Sequence, residues 1–123
     1  MQDFCTWNVR GLKIPMDLED AETSKNYQQA AELLKAFGSQ EQLSNEAERI
    51  RADCAVIRSF FAAVLGEATT DSLFREIPDN RRMYLDIFEE FLTFVYRQTL
   101  AAAQRMTTII QQYAPRDSNE SAV

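Results

Sequence analysis

Histidine is missing from all 123 residues of this sequence. Its absence removes the side chain best suited to proton transfer near neutral pH, and the commonest metal ligand. Ser-His-Asp and Cys-His nucleophilic arrangements go with it. Only two cysteines are present, Cys5 and Cys54, and they share no CxxC spacing. Two thiols without histidine make a poor structural zinc site. Cys54 lies among apolar helical positions and reads as a buried free thiol. Three scattered glycines cannot build a phosphate-cradling loop, and three prolines leave room for long uninterrupted helices. No run of 18 apolar residues is present, so no membrane span is expected. No basic and apolar leader opens the chain, so a soluble, intracellular (cytoplasmic) protein is the expectation.

Positive charge is also short. Thirteen lysines and arginines face 19 aspartates and glutamates, a net charge of -6. An acidic surface repels phosphates, so nucleic acid is a poor partner. The densest basic group, Arg75, Arg81 and Arg82, is a thin footprint.

What remains is helical. The length suits one domain, taken here as residues 1–114. The start differs from the rest: in FCTWNVRGLKIPM, Trp7 and Val9, then Leu12 and Ile14, alternate with polar neighbours on either side of Arg10-Gly11. That predicts a short hairpin over about 4–15, which needs a surface to rest on, its own helices or another subunit. Asp17, Glu19, Asp20 and Glu22 follow; they suit a helix start better than a cation site, since no EF-hand spacing is present. Tyr27, Ala30, Leu34 and Phe37 form one stripe, and Gly38 stops it.

A second helix is predicted from Leu43, Ala47, Ile50, Cys54, Ile57, Phe61 and Val64, stepping by four and three, with Asp53 among the residues on other faces. It should run roughly 35 Å. Val56, Phe60 and Leu65 widen the stripe toward bundle packing. Gly66 ends it, and Thr69 or Thr70 is expected to cap a short helix carrying Leu73 and Phe74. Pro78-Asp79-Asn80 breaks the chain again, with Asp79 or Asn80 capping a last helix to about Tyr113. Gly66, Glu67, Thr69, Thr70 and Asn80 thus form a structural corner. The tail, 115–123, has no periodicity and is expected to be disordered. The fold class is mainly α: a helical bundle with long second and last helices behind an N-terminal β-hairpin.

Candidate chemistry is sparse. Asp86 and Glu90 share a helix face but read as a solvated strip, and Glu67 with its neighbouring hydroxyls reads as capping. No catalytic residue, metal or cofactor is expected. The aromatic content, eight phenylalanines, four tyrosines and one tryptophan, exceeds what a small core needs. The expected protein-binding surface is therefore Trp7, Val9, Leu12 and Ile14 on the hairpin with Tyr84, Phe88, Phe91 and Val95 on the last helix.

Phe60 and Phe61, then Gly66, Glu67, Ala68 and Thr69, then Leu73, Phe74 and Asn80 also carry a resemblance. With the WNVRGLKIP hairpin and NYQQAAELL, this order resembles small tail-module proteins of phages and prophages of Gram-positive bacteria, similar to tail assembly chaperones. The chain departs from that pattern at Ala68 and Arg75, where glycines are usual. The resemblance implies assembly work: self-association, and contact with a tape measure or tail tube protein. A connector or helical adaptor of a phage or bacterial assembly is the alternative.

Overall fold

The computed structural model describes residues 4–39, 42 and 45–113. The expected hairpin forms from β1 (Thr6–Val9) and β2 (Leu12–Pro15), antiparallel, pairing Trp7 with Ile14 and Val9 with Leu12. Arg10 and Gly11 both take positive φ, 49° and 78°. That is the two-residue turn whose twist matches its strands, and glycine makes its second position cheap. Because side chains alternate across a strand, Trp7, Val9, Ile14 and Met16 all point inward.

Three of the four helices begin on a side-chain cap. Asp20 accepts from Thr23 N and opens α1 (Ala21–Leu33), which tightens into a 3-10 turn at Leu34–Ala36. The four acids thus belong to a helix start: Asp17 also accepts, from Glu19 N. Asn45 opens α2 (Glu46–Leu65) by accepting from Glu48 N at 2.8 Å. The predicted stripe member Leu43 lies outside the described residues, as does the tail 115–123. At 20 residues, α2 runs about 30 Å. Asn80 opens α4 (Arg81–Tyr113) by accepting from Met83 N at 3.0 Å.

The corner is tighter than expected. Gly66, φ 90° and ψ 158°, is the only residue between α2 and α3 (Glu67–Leu73). Its N–H donates to Ala62 O, and its carbonyl accepts from Thr70 N. Neither Thr69 nor Thr70 caps this helix, because it starts at Glu67 and both lie inside it. Thr70 instead is fully buried and its hydroxyl donates back to the Gly66 carbonyl at 2.8 Å, which satisfies a polar group the core would otherwise strand.

The core forms where α2, α4 and the hairpin meet. Trp7 stacks on Phe61 at 5.9 Å and meets Phe91 edge-on at 5.2 Å; Phe60 and Phe61 each pack edge-on against Phe91. Phe74 stacks on Tyr84 at 4.4 Å. Each such large side chain, fully buried, contributes about 1.5–3 kcal/mol. Cys54 is buried and free.

Candidate interaction surface

The aromatic rows of α2 and α4 face each other, and the hairpin closes the opening between them. That placement corrects the expected binding surface. Trp7, Val9, Ile14, Tyr84 and Phe91 are each at most 5% exposed within the single chain and have no face to offer a partner. Leu12, Phe88 and Val95 are half-buried against the same core. The hairpin rests on its own helices.

Three polar side chains hold this arrangement. Gln98 on α4 is buried; its amide nitrogen donates to Phe4 O and Met16 O, and its oxygen accepts from Leu18 N. It locks both ends of the hairpin segment to the last helix. Arg10, at the hairpin tip, donates to the carbonyls of Leu73 and Arg75 and so satisfies the end of α3. Asp53 is not on a solvent face: it is buried, accepts from Gly38 N at 2.8 Å and contacts Arg81 Nε at 2.9 Å. It ties the turn after α1 to α2 and to the start of α4. Gln98 and Asp53 share a signal that sequence reading passed over. Each is a polar residue on the apolar row of its helix: Asp53 lies four residues before buried Ile57, and Gln98 seven after buried Phe91.

The exposed apolar surface lies elsewhere, on α4. Leu85, Leu92, Tyr96 and Leu100 face solvent along its outer side. Beyond the body of the domain, every residue from 103 to 113 is exposed. Met106, Ile109, Ile110 and Tyr113 fall at i, i+3, i+4 and i+7 and form one bare stripe, with Tyr113 at 77% exposure. At the root of this arm is an open groove of about 740 Å³. Its walls include Phe4 and Cys5 from the N-terminal segment, Asp17 and Glu19 before α1, and Ala102, Arg105 and Met106 from α4, with Gln98 among them.

Chemically the surface is suited to gripping an apolar helix. The arm and groove are mostly carbon, bounded by two carboxylates and one guanidinium. Elsewhere some ionisable groups serve the fold: Arg58 pairs with Asp71 at 2.5 Å and lies over the ring of Phe74, and Glu46 joins Arg49 and Arg81. The two pairings hold the Glu46 carboxyl below its ordinary value. Among the described residues, no helix is long and apolar enough to cross a membrane.

A family model described as a family of unknown function, DUF6673, matches residues 10–121. No curated protein and no solved structure matches the chain.

Proposed function

The chain belongs to the family of unknown function DUF6673, and we propose for it a non-enzymatic task in assembly, like that of the phage tail assembly chaperones. In this reading it self-associates in the host cytoplasm and shields or organises a helical partner such as a tape measure protein. The observation that carries the reading is the bare end of α4, with Met106, Ile109, Ile110 and Tyr113 exposed on one stripe. An apolar stripe of helical spacing is what a helix-in-groove contact uses, and contiguous exposed apolar surface marks interaction sites. The net charge of -6 supports it, since an acidic exterior keeps a complex with a sticky partner soluble. The resemblance carried by Phe60, Phe61, Gly66, Glu67, Leu73 and Phe74 points the same way.

A second reading is favoured by the reach of α4. At 33 residues it spans about 50 Å and runs past its own domain. A rod of that kind also fits a connector or adaptor that stays in the finished assembly.

Co-expression with a tape measure protein tests the first reading. The expected result is retention of the partner on the tagged chain and a larger soluble yield. Retention should be lost in Met106→Glu/Ile110→Glu. Wild-type chain that neither retains nor solubilises the partner overturns the proposal, and its presence in mature particles favours the connector.

A further inference from the structure

We propose that the arms of two copies cross-pair about a two-fold axis, each lying in the groove of the other with its Arg105 against the second copy's Glu19. The inference rests on the reading of the chain as an assembly protein and names the first partner of that surface.

The arm needs a cover. It includes four consecutive β-branched residues, Thr107, Thr108, Ile109 and Ile110, which favour a helix little. A helical stretch this short is marginal in water unless an amphipathic face is packed. The face to be packed is the stripe of Met106, Ile109, Ile110 and Tyr113, and the apolar surface open to receive it is the groove at the arm's own root.

Charge identifies the occupant as a second copy. Arg105 is the one charged residue in 99–113, so the arm is cationic on a chain of net charge -6. Glu19 and Asp17 line the groove beside it. Among the described residues, none of these three takes part in an ion pair, although the arginines at 49, 58 and 81 do. Arg105, Met106 and Ile109 themselves line the groove, so arm and groove are one continuous surface on which two carboxylates outnumber one guanidinium, and the Arg105 of a second arm balances the excess. An isologous interface requires that self-complementarity, because each contact is made twice.

Light scattering on the purified full-length chain at micromolar concentration reads the mass directly. The expected mass is twice the 14.1 kDa of one chain. Met106→Glu/Ile110→Glu should give a monomer whose body stays folded by circular dichroism. Arg105→Glu and Glu19→Arg should each weaken the dimer by about tenfold, and the combined variant should recover most of it. A monomeric wild type, a dimer indifferent to Met106→Glu/Ile110→Glu, or a combined variant no better than either single change overturns the cross-pairing. A monomer that still retains a helical partner overturns it while leaving the assembly reading intact. A dimer with these responses that holds no partner supports the cross-pairing and sinks the assembly reading.

Discussion

The side-chain amide of Gln98 donates to the carbonyl of Met16 at 2.9 Å, across 82 positions of sequence. The same side chain takes up Phe4 O and Leu18 N, so three backbone groups near the chain's start depend on one residue of the last helix.

Replacing Gln98 with leucine keeps the bulk and strands those three groups. Leaving buried polar groups unpaired costs about 1–3 kcal/mol each at most, with water recovering the ones nearest the surface. The expected loss is about 2–3 kcal/mol in urea unfolding. Amide exchange should show the hairpin opening ahead of α2. A change below about 0.5 kcal/mol would remove Gln98 from this role.

Asp53 and Arg81 should respond unequally to substitution. The Asp53 side chain is 5% exposed and that of Arg81 30%. Arg81→Met strands a buried carboxylate and should cost about 3 kcal/mol. Asp53→Asn keeps an acceptor for Gly38 N and leaves a guanidinium that also reaches Glu46, so about 1 kcal/mol is expected. Thermal unfolding of the two variants decides it; equal losses, or the reverse order, would contradict the pairing.

Gly66→Ala isolates backbone strain from crowding. A methyl at Gly66 would meet nothing within 4 Å, yet φ is 90° and ψ 158°. That region is almost reserved for glycine, at a cost of about 1–3 kcal/mol for other residues. Destabilisation of about 2 kcal/mol is expected. Gly11→Ala is the useful comparison, since its φ of 78° is a left-handed value that a side chain tolerates better. An unchanged melting temperature for Gly66→Ala would show that the joint relaxes freely.

Alkaline pH should weaken the fold. Burial pushes the Tyr84 hydroxyl above its ordinary value, against the pull of Arg58, and burial also pushes the Cys54 thiol up. In the unfolded chain these groups ionise near about pH 10 and about pH 8.5. Above those values the native state holds more protons than the unfolded one, so stability falls as pH rises toward the folded values. Below about pH 8 neither contributes. Urea midpoints between pH 8 and pH 10.5 should decline, and Tyr84→Phe should flatten the upper part of the decline. A midpoint that climbs through this window would contradict the burial argument.

The helices were legible because each rests on local signals. Asp20, Asn45 and Asn80 cap as their residue types lead one to expect, and the Ile57 and Phe61 stripe faces the core. The hairpin was legible from Arg10-Gly11 and the alternation around it. The surface was not. Trp7, Tyr84 and Phe91 are apolar enough for either a core or an interface, and periodicity cannot separate the two. Which rows become core depends on where the hairpin lands, and that is set by Gln98 and Arg10 reaching across 80 and more than 60 positions. The bare stripe of Met106, Ile109, Ile110 and Tyr113 continues the core-forming row of α4 with no change of pattern, so only the fold shows where cover runs out.

The tip of the hairpin is fastened by Arg10 to Leu73 and Arg75, and its base by Gln98. During synthesis the hairpin leaves the ribosome before its seat exists, since the helix that receives it is made some 80 residues later. Until then Trp7 and Ile14 have no shelter in the native fold, and a nascent chain stopped before Gln98 should expose them to proteases and holdases that ignore the finished protein.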